Sequence, residues 1–138
     1  MKKTLSVLLL LLMVLLCVSG CKKDSLKIDD HRWDFSLVMS NKTGQVVYCA
    51  KDRHPLHPQA ALLDLRCTAK GGTITLKTGN KSWELPYTLD EEGPNGAVYR
   101  IGTNGTALAS VSKTTFNDGS WEHTLTLAID QYTLYFRD

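Results

Sequence analysis

Residues 121–136 read Trp-Glu-His-Thr-Leu-Thr-Leu-Ala-Ile-Asp-Gln-Tyr-Thr-Leu-Tyr-Phe and contain the clearest structural pattern of this 138-residue chain. Between Trp121 and Ile129, every second residue is aromatic, histidine or aliphatic, and the residues between are polar or small. A period of two is typical of a strand with one buried face. Asp130-Gln131 then gives a tight link to a second strand over 132–136. The stretch therefore predicts a long antiparallel hairpin, whose last strand should also pair on its other side.

The same pattern continues through the rest of the chain. Residues 33–39 alternate in this way, and shorter strand-like segments follow at 45–50, 73–78, 82–89, 97–103 and 108–116. Turn residues such as Gly71-Gly72 and Asn104-Gly105 separate them about every ten residues. This spacing predicts an all-β domain, a single antiparallel meander of about eight or nine strands. A small barrel and a sandwich both remain open.

The first twenty-one residues have the features of an export signal. Lys2-Lys3 precede a largely apolar stretch over 5–17, which would reach only about 20 Å as a helix and is too short to span a bilayer. Val18-Ser19-Gly20-Cys21 follows and resembles the lipobox of bacterial lipoproteins. The resemblance implies a signal peptide over 1–20, cleavage before Cys21, and a diacylglycerol on the Cys21 sulfur, with acyl chains such as palmitate. Two or more chains give stable anchoring.

The mature chain is expected to be nearly neutral. The formal charge of +2 disappears when Lys2 and Lys3 are removed with the signal. A neutral domain lacks the basic patch that nucleic acid requires. Residues 21–31 are predicted to be a lipidated polar tether, and 32–138 a single domain. We therefore expect a monomer on the extracytoplasmic face of the cell membrane, with the lipid on Cys21 as its membrane contact.

Two cysteines remain in the mature domain, Cys49 and Cys67. Because exported chains meet an oxidising environment, the sequence predicts a disulfide between them. Two buried free thiols are the alternative.

Candidate catalytic and metal-binding groups are sparse. His54 and His57 could join the two cysteines in a Cys2His2 set, but the spacing is not a known zinc pattern. His31 falls in the predicted tether, and His123 is predicted to be a structural residue on its strand. Neither has a nucleophile at a recognisable spacing. The sequence thus predicts no cofactor, no metal and no enzyme, with a hydrolase as the least favoured reading.

Aromatic residues are the remaining candidates for a site. They are expected either to fill the core or to line a cavity for a small apolar ligand, as an eight-stranded barrel can hold one. The set is Trp33, Trp83, Tyr87, Tyr99 and Trp121.

Two resemblances accompany this reading. The chain is similar to small uncharacterised lipoproteins of Gram-positive gut bacteria at Trp33, residues 71–76, Trp83-x3-Tyr87, residues 111–114 with 118–120, and the closing residues 124–127 with 132–134. An early Trp33 with the later Trp-x3-Tyr also resembles lipocalin-type barrels. The lipoprotein resemblance implies no catalytic activity, and the leading hypothesis is a non-catalytic module that binds an unknown protein partner. The lipocalin resemblance implies the alternative, a carrier or sensor of a small apolar ligand.

Overall fold

The computed structural model of the protein describes residues 24–102 and 107–138. The predicted signal peptide, the lipidation site Cys21 and the predicted turn at Asn104-Gly105 lie outside these ranges. Within them, no helix has the length and apolar character needed to cross a membrane.

Ten strands account for most of the described chain. They are β1 (Trp33–Ser40), β2 (Val46–Cys49), β3 (Ala61–Leu62), β4 (Arg66–Lys70), β5 (Thr73–Thr78), β6 (Lys81–Glu92), β7 (Gly96–Ile101), β8 (Ala107–Thr115), β9 (Trp121–Ile129) and β10 (Tyr132–Arg137). Single 3-10 turns lie at Ile28–Asp30 and Lys51–Arg53. The all-β prediction is confirmed.

The sheet closes into a barrel, which decides between the two architectures left open by the sequence. Strands β4 to β10 form an up-and-down antiparallel meander, and β1 pairs with both β4 and β10 to complete an eight-stranded ring. The hairpin of β9 and β10 forms as predicted, with Tyr132 opposite Ile129. Asp130 has a φ of +53° in the tight connection between them. The last strand therefore has partners on both edges.

Strands β2 and β3 lie outside the ring. Strand β10 covers one edge of β1 over residues 34–40, so β4 and β2 must share the other edge. Strand β4 contacts it only at Trp33 and Asp34 before diverging. Strand β2 then pairs with β1 at residues 37–39, and β3 adds to β2 in parallel. These two strands extend the wall at one end of the barrel.

This arrangement explains why the predicted disulfide is wrong. Cys49 and Cys67 are both free and buried. Cys49 pairs with Leu37 and Cys67 with Trp33, which are four residues apart on β1. Four residues of strand span about 13 Å, well beyond the Cα separation that a disulfide tolerates. Burial raises the pKa of the Cys67 thiol to about 12, so it behaves as a small apolar side chain.

One end of the barrel is closed by the chain that precedes β1. Residues 24–31 fall within the segment predicted to be a tether, but they pack against the barrel, and Ile28 is completely buried in the core. The indole Nε1 of Trp33 donates a 2.9 Å hydrogen bond to the Ile28 carbonyl. We call residues 24–31 the plug. The folded unit therefore includes residues 24–31 together with the strands that follow.

Candidate ligand-binding site

An apolar pocket opens at the end of the barrel opposite the plug. It has a volume of about 400 Å³. Its walls come from the β5–β6 and β9–β10 hairpin ends, from β1 and β2, and from the segment leading into β4. The lining residues are Val38, Tyr48, Leu63, Leu65, Leu76, Thr78, Trp83, Leu85, Ile129, Asp130, Tyr132 and Leu134.

The depth of the pocket follows from the alternation of its strands. Val38, Leu65 and Leu76 are buried and form its base. Below them the barrel is filled, because Ile74, Leu127 and other inward side chains are fully buried. The pocket is therefore a cup that is closed at its base and open to solvent at this end of the barrel.

Three aromatic side chains surround the entrance. Trp83 is 45% exposed, and Tyr48 and Tyr132 are exposed to a similar degree. Exposed large apolar side chains gathered at one place are typical of binding sites, whereas scattered ones are ordinary. Tyrosine and tryptophan suit such a rim because each combines an apolar ring with a hydrogen-bonding group.

The chemistry of the lining favours a neutral, apolar occupant. Asp130 is the one acidic side chain among the residues that line the pocket, and it is exposed at the rim. Among the described residues, no lysine, arginine or histidine lines it. Thr78 and the phenol groups of Tyr48 and Tyr132 can give or accept a hydrogen bond. None of these described lining residues offers a positively charged partner for a buried carboxylate or phosphate on a ligand.

Of the five aromatic residues assigned by the sequence either to the core or to a ligand cavity, Trp83 alone lines this apolar pocket. Trp33, Tyr87 and Tyr99 lie towards the closed end and hold the plug instead. The Tyr99 hydroxyl donates a 2.5 Å hydrogen bond to the carbonyl of Leu26, and the Tyr87 hydroxyl donates to Asp29. The two tyrosine rings also meet edge to face at 5.4 Å.

Trp121, the fifth predicted residue, lies at the closed end as well. Its ring packs edge to face on that of His123 at 5.1 Å, and Lys113 Nζ lies 5.0 Å from its centre. The sequence assigned these aromatics to one group because they share a strand face. It could not show that the plug and the pocket occupy opposite ends of that face.

The sequence analysis did not predict most of the residues that line the pocket. Leu63 and Leu65 lie in an apolar segment whose secondary structure is ambiguous from the sequence, and Tyr48 lies in a strand outside the ring. The signal available in the sequence was the position of Trp83 and Tyr132 next to predicted hairpin turns. Using it would have required knowing which turns meet at one end.

A second, larger groove lies where β4 diverges from β1. It measures about 970 Å³ and is open along the side of the barrel. Arg32, Asp34, Lys51, Asp64 and Arg66 mix both charges along it. Because these charges can satisfy one another or water, the groove shows no selectivity for one class of ligand. The apolar pocket is the better-defined site.

Comparisons with protein-family models, with curated proteins and with solved structures found no match to this chain. The fold and the site together define a small closed β-barrel with an apolar pocket at one end.

Proposed function

We propose that the protein is a lipid-anchored extracytoplasmic β-barrel that binds a small, neutral, apolar ligand in the pocket at its open end. The observation that carries the proposal is an apolar cup of about 400 Å³ beneath a rim of exposed aromatic residues. This volume falls within the range of small-molecule sites. The role is binding, as a carrier or sensor, and no catalytic step is assigned to it.

The geometry of the anchor supports uptake from the surrounding medium. Cys21, the proposed lipidation site, precedes Asp24 by three residues, which reach at most about 10 Å. Asp24 lies at the closed end, where it forms an ion pair with Lys113. A lipid on Cys21 therefore holds the closed end against the membrane surface. The pocket then faces away from the bilayer, towards ligands that arrive from outside.

The test is titration of the full chain, purified in detergent, with the neutral fluorescent probe N-phenyl-1-naphthylamine. Because detergent micelles also take up this probe, the same detergent without protein gives the baseline. We expect saturable binding with one probe per chain and energy transfer from Trp83. Trp83→Ala should weaken binding at least about tenfold, the equivalent of about 1.4 kcal/mol.

Phe116→Ala is the matched control. Phe116 is 47% exposed, close to the 45% of Trp83, but it follows β8 at the closed end. Its removal should leave probe binding unchanged. Absence of saturable binding above the micelle baseline, or equal losses in both variants, would contradict the proposed ligand site.

A further inference from the structure

A cluster of three polar side chains lies at the closed end of the barrel, remote from the apolar pocket. It consists of His31 in the plug, His123 on β9 and Asp138 directly after β10. Asp138 Oδ2 lies 3.0 Å from Nδ1 of His31 and 3.0 Å from Nδ1 of His123. One nitrogen or oxygen atom from each residue lies within 4.8 Å of the other two. All three side chains are at most 5% exposed, so solvent scarcely reaches the cluster.

The groups that contact the two nitrogens of each ring bear on the position of the ring hydrogen. His31 Nε2 lies 2.5 Å from the carbonyl oxygen of Ser25. A carbonyl only accepts, so Nε2 carries the hydrogen and donates it. His123 Nε2 is buried without a hydrogen-bond partner, and an Asp24 oxygen faces it at 3.6 Å. His123 Nδ1 lies closer to a carboxylate oxygen, 3.0 Å from Asp138 Oδ2, so the ring donates to Asp138 when its hydrogen is on Nδ1 and turns a lone pair towards Asp138 when the hydrogen is on Nε2.

Neutral rings with hydrogens on both Nε2 atoms have free lone pairs on both Nδ1 atoms. In that tautomeric state these lone pairs and the Asp138 carboxylate oxygen are all acceptors that face one another in a buried space. A positive charge among the three atoms, either a proton on one Nδ1 or a metal ion, stabilises the cluster. A metal ion supplies that charge and bonds to all three.

We propose that His31, His123 and Asp138 bind a divalent transition-metal ion, with zinc as the best fit. Two imidazole nitrogens and one carboxylate oxygen are a ligand set that zinc accepts, leaving a fourth position for water. Ligand atoms around tetrahedral zinc are about 3.4 Å apart. The two separations to Asp138 Oδ2, each 3.0 Å, need to widen by only a few tenths of an ångström, and the ligand atoms of the remaining pair lie within 4.8 Å of each other.

The residues around the cluster match the support that metal-binding histidines require. Such histidines usually donate their second ring hydrogen to a carbonyl or a carboxylate, which fixes the ring orientation. The Ser25 carbonyl faces His31 Nε2 in this way, and the Asp24 carboxylate, one position earlier in the plug, lies 3.6 Å from His123 Nε2, just beyond hydrogen-bond distance. Lys113 Nζ holds Asp24 at 2.7 Å. The ion would thus connect the plug to β9 and to the end of β10.

The experiment is metal titration of the full chain in detergent after treatment with a chelator. We expect a single equivalent of Zn²⁺ by elemental analysis and a higher melting temperature when it is bound. Co²⁺ in the same site should give the visible absorption bands of tetrahedral coordination. An unchanged melting temperature with no bound zinc would mean that a shared proton holds the cluster together, and the metal site would be wrong.

Variants assign the site to these residues. His31→Gln and Asp138→Asn each remove one ligand atom and should weaken Zn²⁺ binding more than about 100-fold, beyond the 10–100-fold typical of an outer partner. The matched control is His54→Gln/His57→Gln, which removes the other two of the four histidines and should bind Zn²⁺ like the wild type. Loss of binding in this control alone would overturn the assignment. If a ligand variant fails to fold by circular dichroism, the Co²⁺ spectrum of the wild type still decides.

Discussion

Trp33 and Ile28 are joined by a 2.9 Å hydrogen bond from the indole Nε1 to the carbonyl oxygen, and both side chains are buried. Trp33 begins the strand that closes the barrel, and Ile28 belongs to the segment before it. This contact makes the plug part of the folded core. It also gives the barrel one closed end and one open end.

The first prediction concerns the plug. Ile28→Ala should lower the free energy of unfolding by about 3 kcal/mol, because it truncates a fully buried side chain and leaves a cavity in the core. Urea denaturation measures the change. Leu56→Ala is the control, since Leu56 is 70% exposed and its removal should alter stability by less than about 0.5 kcal/mol. Equal effects of the two substitutions would show that the plug contributes little to the fold.

The second prediction concerns barrel closure. Deleting residues 131–138 should abolish cooperative thermal unfolding near the full-length melting temperature. Strand β10 pairs with both β9 and β1, so its loss exposes two strand edges together with Leu125 and Leu127. Calorimetry of the truncated and full-length chains tests this. A truncated chain that melts cooperatively at the original temperature would show that β10 is peripheral.

The third prediction concerns the oxidation state of the cysteines. Cys49 and Cys67 should both resist alkylation in the native protein and both react after unfolding without reductant, since each is a buried free thiol. Mass spectrometry counts the labels. Recovery of an unfolded chain with neither cysteine labelled would instead indicate a disulfide and a different placement of β2.

The fourth prediction is a loss of stability at high pH. Burial raises the pKa of Cys67 from its ordinary value of 9.0 to about 12. Above pH 9 the unfolded chain releases this proton while the folded chain keeps it, so the unfolded state is favoured. The stabilisation is complete below pH 9 and should decrease by about 1.4 kcal/mol per pH unit as the pH rises towards 12.

Cys67→Ala provides the comparison for this pH dependence. The variant lacks the thiol, so its free energy of unfolding should fall less steeply than that of the wild type between about pH 9 and 11. Parallel curves for the two proteins would mean that other groups, such as Tyr87 and Tyr99, whose pKa values are also raised by burial, account for the alkaline loss.

The fifth prediction concerns the membrane anchor. Cys21→Ser should move the protein from the membrane fraction to the soluble fraction, because serine has no sulfur to accept the lipid. Cell fractionation followed by immunoblotting tests this, and Cys49→Ser is the control because that thiol lies in the folded domain. A Cys21→Ser protein that still sediments with membranes would exclude a lipid on Cys21 as the anchor.

The strand pattern was largely predictable because it depends on local chemistry. Alternation over Trp121–Ile129 fixes which residues face inwards, and the Gly71-Gly72 turn allows positive φ at both positions, as the structure shows. The limits of β1, β5 and β9 agree with the sequence expectation to within a residue. The signal and lipidation features also rest on local pattern and remain predictions.

The tertiary structure alone decided what depends on contacts between distant residues. A polar segment such as 24–31 gives no periodic signal, yet Ile28 enters the core because the barrel end is open to receive it. His31, His123 and Asp138 are separated by up to 107 positions and meet only because the plug, β9 and the end of β10 share one end of the ring. The pocket likewise exists because several hairpins end together at the other end. Alternation specifies which face of each strand is buried, but barrel closure specifies which side chains become neighbours.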